Sequence, residues 1–212
     1  VAEVARAIGM DARIGSRFLQ AGVGFGGSCF KKDILNLVYL CEHFNLPEVA
    51  AYWEQVVVMN DYQRDRFVKR VIRNMFNTVV DKRIVLMGFA FKADTGDTRE
   101  SPAIYVARQL LEERAQVVVT DPQALPNARR DLADVADRVE FAEDPYAAAQ
   151  GAHALLVLTD WQVYGELDYE RIHAAMAKPA FVFDGRDAVD HQKLHEIGFN
   201  VLPIGSAPRL HI

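Results

Sequence analysis

The sequence predicts an α/β protein: a helical segment up to about residue 77, then a doubly wound parallel sheet over 78–212. Three observations predict it. Through residue 77 apolar side chains recur at helical spacing. From about Asp81 short apolar runs alternate with amphipathic stretches, the rhythm of a parallel sheet with helices on both faces. Within that part Ser101-Pro102 sets a capping residue before a proline at the first helical position, a clean start signal.

Taken in order, residues 1–8 are apolar at 1, 4, 5 and 8 and read as a helix already under way, with no signal peptide ahead of it. Residues 32–44 carry apolar side chains at 34, 35, 37, 38, 40, 41 and 44, the pattern of a well-buried helix. Pro47 suits the first turn of the next helix, which runs from Glu48 to about Met75. So long a helix points to a connector or a subunit interface, the alternative being two helices broken near Asn60-Asp61. Strands are expected at 83–89, 116–120, 153–158, 180–183 and 200–204, with helices at 101–114, 145–150, 168–176 and 190–197. Ligands of such sheets sit beyond the carboxyl ends of the strands. Phe91, Lys92, Asp121, Thr159, Asp160, Trp161, Asp184 and Arg186 all fall there.

Composition excludes several classes. A net charge of -5 and a pI near 5.7 lack the basic excess of a nucleic-acid binder. Two cysteines in 212 residues make no disulfide framework, which favours a reducing, cytoplasmic setting. No apolar run approaches the ~20 residues of a membrane span. There is no internal repeat and no low-complexity segment.

The most informative stretch is Gly22-Val-Gly-Phe-Gly-Gly-Ser-Cys-Phe-Lys-Lys-Asp33. Ser28 stands where a helix N-cap is expected, which puts Cys29 in the first turn at the positive end of the helix dipole. A helix N-terminus with lysines nearby favours thiolate, the nucleophilic form of cysteine. Asp33 follows one turn later on the same face, where a carboxylate can direct a water at whatever is attached to sulfur. The glycines let a substrate approach the sulfur. Cys41, inside an apolar stretch, reads instead as a small buried hydrophobe.

Two patterns imitate a dinucleotide site. Residues 22–27 match G-x-G-x-x-G, but no strand precedes them, and that context is required. Residues 83–121 do offer strand, helix, strand and a closing acid, yet they lack the glycine triplet. Of the six histidines, His191 and His195 share a helix face at a metal-binding spacing, but no third ligand is evident, so no metal site is expected. Trp161 at a strand end reads as structural.

The segment Gly24-Phe-Gly-Gly-Ser-Cys-Phe-Lys-Lys-Asp33 resembles the catalytic cysteine segment of the UDP-glucose/GDP-mannose dehydrogenase family, enzymes that oxidise a sugar C6 alcohol to the acid. Phe89-Ala-Phe-Lys-Ala-Asp-Thr-Gly-Asp-Thr-Arg-Glu-Ser-Pro102 is similar to the motif of its C-terminal domain, and Phe183-Asp-Gly-Arg186 to its late arginine motif. With Arg13-Ile-Gly-Ser-Arg-Phe-Leu-Gln20, the pattern is nearest the animal-like branch that acts on UDP-glucose. The similarity runs from Val1 to about Gly205.

The resemblance implies that residues 1–77 belong to a central helical, dimerising domain and 78–212 form a Rossmann-like UDP-binding domain. The family's amino-terminal NAD-binding domain is not part of this sequence, so the chain alone is expected to be inactive. Cys29 is implied as the nucleophile that carries a thiohemiacetal and then a thioester, and Asp33 as the group that assists its hydrolysis. Arg13, Phe18, Leu19, Gln20, Gly22, Gly24, Phe25, Gly26, Phe91, Lys92 and Arg186 are implied to bind the UDP-sugar, Arg13 by reaching into a neighbouring subunit. Cys29, Lys32 and Arg99 are implied to meet NAD. A homo-oligomer formed through the central helices is implied as well. Rival readings are a dehydrogenase of GDP-mannose or a UDP-N-acetylhexosamine, a nucleotide-binding and dimerising module without chemistry, and a cysteine hydrolase. The last needs a general-base histidine beside Cys29, and none lies near it in sequence.

Overall fold

The computed structural model describes residues 1–211. Three helices come first: α1 (Ala2–Gly9), α2 (Phe30–His43) and α3 (Pro47–Asn74), with an irregular stretch of chain between α1 and α2. α3 is continuous through Asn60-Asp61, so the two-helix alternative fails. Asn60 does not interrupt the helix because its amide bonds to a distant loop instead of its own backbone. After α3, Phe76 and Asn77 take positive φ (64° and 59°) and turn the chain toward the sheet.

The rest folds as β1 (Arg83–Met87), α4 (Pro102–Glu112), β2 (Gln116–Thr120), α5 (Leu125–Asp131), β3 (Val139–Phe141), α6 (Pro145–Ala149), β4 (Ala154–Val157), α7 (Gln162–Gly165), α8 (Tyr169–Ala175), β5 (Phe181–Asp184), α9 (His191–Ile197) and β6 (Asn200–Pro203). A short 3-10 helix, Ala133–Arg138, precedes β3. The sheet is six-stranded in the order β3-β2-β1-β4-β5-β6, and every pairing is parallel. Crossovers run outward from β1 one way and from β4 the other, and crossovers of the usual right hand in that order place helices on both faces. This is the doubly wound sheet expected, with the topological switch between β1 and β4. The four central strands are nearly continuous apolar runs, as burial on both faces requires. Ser101 caps α4 by accepting from the Ala103 amide, as the Ser-Pro pair predicted.

Three details depart from expectation. β1 ends at Met87 because Gly88 turns to φ 95° and gives its N–H to the Thr120 carbonyl. β3, α5 and α7, spanning three, seven and four residues, were not foreseen. Finally, α2 is not well buried. Only Ile34 and Cys41 are, while Leu35, Tyr39, Leu40 and Phe44 face outward because α3 is the one helix packed against it in quantity.

Candidate active site

Cys29 and the residues beside it sit at the head of α2, but not as the capping pattern predicted. The helix begins at Phe30, so Cys29 itself is the N-cap (φ -95°, ψ -59°) and its side chain makes no cap bond. The Ser28 hydroxyl lies against the Cys29 sulfur at 3.7 Å instead of reaching the first-turn amides. The correction is one residue, and Cys29 still stands at the positive end of the helix. Its thiol is exposed, whereas Cys41 is buried as expected. The Asp33 N–H donates to the Cys29 carbonyl at 2.8 Å, which fixes the carboxylate one turn on. Lys32 and Asp33 are both exposed, with Nζ and Oδ1 3.9 Å apart.

The glycine loop ahead of Cys29 is held from three directions. Val23 is buried against Gly185, where an added Cβ would lie 2.4 Å from the Val23 Cγ2 atom. From α3, Asn60 accepts from the Phe25 N–H (2.8 Å) and donates to the Phe25 carbonyl (3.2 Å), and Gln63 donates to the Gly22 carbonyl (2.9 Å). From the turn before α4, the Arg99 carbonyl accepts from the Gly27 N–H at 2.8 Å, and Lys31 pairs with Glu100 at 2.8 Å. A Cβ on Gly26 would stand 2.6 Å from the Glu100 carbonyl oxygen, and one on Gly27 3.0 Å from the Phe91 ring. Gly24 and Gly27 also have positive φ (139° and 85°). These glycines therefore serve close packing of the loop, and not only access to sulfur.

The predicted residues fall into two groups joined by this loop. Cys29, Asp33, Gly26, Phe91 and Arg99 gather around the head of α2; Arg99 is bound by Asp97 through Nε and Nη2. That pairing raises the Arg99 pKa and lowers that of Asp97. Lys92 lies over the Phe91 ring, 5.5 Å from its centroid. Leu19, Gln20 and Arg186 line a second feature, a cleft of about 880 Å³ shared with Arg6, Ser16 and Asp160. Gly22 borders the same arginine: a Cβ there would lie 3.4 Å from Arg186 Nη1. The Arg186 guanidinium donates to Asp160 at 3.0 Å, so its partner within the chain is a carboxylate. Phe18 is fully exposed at φ 67° and does not line the cleft, and Arg13 is exposed and paired with Asp11 at 2.6 Å.

At the strand ends, Asp121, Thr159 and Trp161 are buried. Asp121 stands where a dinucleotide fold presents an acid to a ribose hydroxyl, yet both its oxygens accept from backbone amides, and Oδ2 also from the Trp161 Nε1–H. With that acid turned inward and no glycine triplet, this sheet does not fit NAD. His191 and His195 have separate partners: His191 bonds Asp184 at 2.9 Å, and His195 stacks on His211. Among the described residues Asp184, Asp187 and His191 approach metal-ligand spacing. Asp184, however, already accepts from Arg186, Ala188 and Val189 amides as well as from His191. Asn60, Gln63 and Glu100 escaped the sequence reading; only the polar interruptions in an apolar helix hinted at the first two.

Two family models match the chain. The central domain of the UDP-glucose/GDP-mannose dehydrogenase family covers residues 1–62, and the UDP binding domain of the same family covers 85–191. The UDP-glucose 6-dehydrogenase of Bos taurus is 55% identical over 217 residues, taking in 97% of this chain and 44% of its own length. The Drosophila melanogaster enzyme of the same name is 53% identical, over 97% of this chain and 45% of its length. The chain thus spans less than half the length of these relatives. Among solved structures, a UDP-glucose dehydrogenase from Pyrobaculum islandicum superposes with a TM-score of 0.78 at 34% identity, over 96% of this chain and 42% of that one. No helix among the described residues is long and apolar enough to cross a membrane. On its two matched domains, the chain belongs to the UDP-glucose/GDP-mannose dehydrogenase family.

Proposed function

We propose that this chain is the C-terminal portion of an NAD-dependent UDP-glucose 6-dehydrogenase, with residues 1–77 in its central domain and 78–212 as its UDP-binding domain. The observation that carries the reading is the exposed Cys29 thiol at the head of α2, with Asp33 one turn on and a braced glycine loop before it. When bound by the remainder of the enzyme, NAD supplies the hydride acceptor for two oxidations; Lys32 and Arg99 meet it from this side. Within this chain, the Cys29 sulfur bonds to the carbonyl carbon of the C6 aldehyde, and the thiol proton ends on the former carbonyl oxygen. Oxidation of that thiohemiacetal gives a thioester, which a water directed by Asp33 cleaves to the acid and the free thiol. Covalent attachment keeps the aldehyde from escaping between the two oxidations. Phe91, Lys92, Leu19, Gln20, the backbone of 22–26 and Arg186 receive the UDP-sugar. An arginine fork suits its phosphates, and Asp160 orients that fork until they arrive.

The outward apolar residues of α2 and α3, among them Leu35, Tyr39, Val58 and Met59, with Phe44 just past α2, support association of two chains along these helices. Arg13, free of the local cleft, then reaches the partner's site.

Calorimetric titration with UDP and, separately, with NAD tests the reading. UDP binding without NAD binding is expected, and NAD binding alone refutes the domain assignment. Iodoacetamide should alkylate Cys29 well before Cys41; equal rates would remove the case for a nucleophile.

A further inference from the structure

Asp121 is 3% exposed and carries no cationic partner among the described residues. Its Oδ2 atom accepts from the amides of Phe89 (2.6 Å) and Ala90 (3.0 Å) and from Trp161 Nε1 (3.2 Å). Its Oδ1 atom accepts from the amides of Gln123 (2.8 Å) and Ala124 (2.7 Å). A carboxylate removed from water is expensive unless its lone pairs are taken. Here they are taken by N–H donors alone, and an asparagine in its place could not accept all five, since its NH₂ would face two or three of them.

Two of these bonds, from the Phe89 and Ala90 amides, converge on one short piece of backbone. Thr159 Oγ1 donates to the Ala90 carbonyl at 2.6 Å, and the Gly88 N–H reaches Thr120 at 2.8 Å, so 88–90 is held on every side. The next residue is Phe91. Its N–H donates to Asp97 at 3.0 Å, its Cβ lies 2.9 Å from where a Cβ on Gly26 would stand, and its ring faces Gly27. Gly27 in turn is hydrogen-bonded to Arg99, two residues before Cys29.

We propose that Asp121 is a positioning residue for the Cys29 loop. It fixes the backbone of 89–90, which sets the Phe91 ring as the platform on which Gly26 and Gly27 rest. The inference deepens the proposed function and takes its catalytic meaning from the reading of Cys29 as the nucleophile. An acid that could have met a ribose in a dinucleotide-binding sheet holds the cysteine loop instead.

Hydrogen exchange on D121N, W161F and T159V of this chain tests it. W161F removes one of the bonds to Asp121 and keeps the carboxylate, so it carries the test if D121N does not fold; T159V loosens the same backbone without touching Asp121 and serves as the comparison. The expected result is faster exchange in peptides covering 22–29, by about tenfold for the Gly27 amide in D121N and a few-fold in the milder variants. The Cys29 alkylation rate should shift with it, while that of Cys41 stays fixed. If exchange rises only at 88–90 and 123–124, with 22–29 and Cys29 as in the wild type, Asp121 merely stabilises its own corner and the proposal fails. These readouts need no UDP binding. A wild-type chain that ignores UDP, or alkylates Cys29 no faster than Cys41, would strike the proposed function and leave the coupling from Asp121 to the loop separately decided.

Discussion

Replacing Asn60 with alanine should release the glycine loop without unfolding the protein. Asn60 is buried on α3 and makes two hydrogen bonds to one residue, accepting from the Phe25 N–H at 2.8 Å and donating to its carbonyl at 3.2 Å. Each such bond contributes about 0.5–1.5 kcal/mol net, so N60A should cost ~2 kcal/mol. At 1.36 kcal/mol per factor of ten, that is about a 30-fold faster exchange of the Phe25 amide if the loop opens on its own. Were the cost borne by the whole fold, the melting temperature would drop by roughly 4–8 °C, from 2–4 °C per kcal/mol at this size. The loop is braced independently by Val23 and by the Gly27–Arg99 bond, so local opening is expected, with a small melting shift. N60D separates the two bonds. It keeps the acceptor for the Phe25 N–H but sets a second carboxylate oxygen against the Phe25 carbonyl, so it should exchange at least as fast as N60A at neutral pH. Hydrogen exchange with peptides spanning 22–30 reads both variants. Rates within twofold of wild type would refute the claim that Asn60 holds this loop.

Other substitutions probe the same architecture. G26A should displace the loop from the Glu100 carbonyl, since its Cβ would stand 2.6 Å from that oxygen; slower or lost alkylation selectivity for Cys29 over Cys41 is the readout. G185A drives a Cβ to 2.4 Å from Val23 and 2.9 Å from the Val157 carbonyl and should cost about 1–3 kcal/mol in denaturant melts, as overpacking does. E100Q removes a partly exposed ion pair with Lys31 and should cost under about 1 kcal/mol, less still in high salt. His191 has its pKa raised above the ordinary 6.5, chiefly by its bond to Asp184. Its contribution to stability is therefore complete below pH 6.5 and fades as pH climbs through the raised value. The stability gap between wild type and H191Q should shrink from pH 6 to pH 9; a gap that widens would mean that His191 folds neutral.

What the sequence disclosed was whatever lies within one contiguous stretch. The cysteine segment, the Ser101 cap and the strand-helix alternation are local patterns, and the structure bears out the last two closely. The capping reading at Ser28 missed by one residue: Cys29, not Ser28, is the N-cap residue, and neither side chain makes a cap bond to the first-turn amides. Asn60 shows a different limit. Polar groups inside a helix read as weaknesses, because they compete for backbone bonds. Here the amide satisfies backbone 35 residues earlier, and no spacing rule links the two. Asp121 was found by position, as the closing acid of a unit that only imitates a dinucleotide site, but what it does there is legible only once its donors are counted.

The reading of α2 fails for a more general reason. Apolar residues at 34, 35, 37, 38, 40, 41 and 44 wrap too far around the helix for one neighbour to cover. Periodicity reports how much of a helix shuns water, not which molecule excludes it. Within this chain α3 covers Ile34 and Cys41 but leaves Leu35, Tyr39, Leu40 and Phe44 bare. Four large apolar residues on or just past the helix that begins beside the exposed cysteine are thus left in contact with water in this chain. Sedimentation of the chain alone tests whether a second copy covers that face. A concentration-dependent dimer, lost when Tyr39 and Phe44 are both made serine, assigns the face to a second copy; a monomer at every concentration removes the case for self-association there.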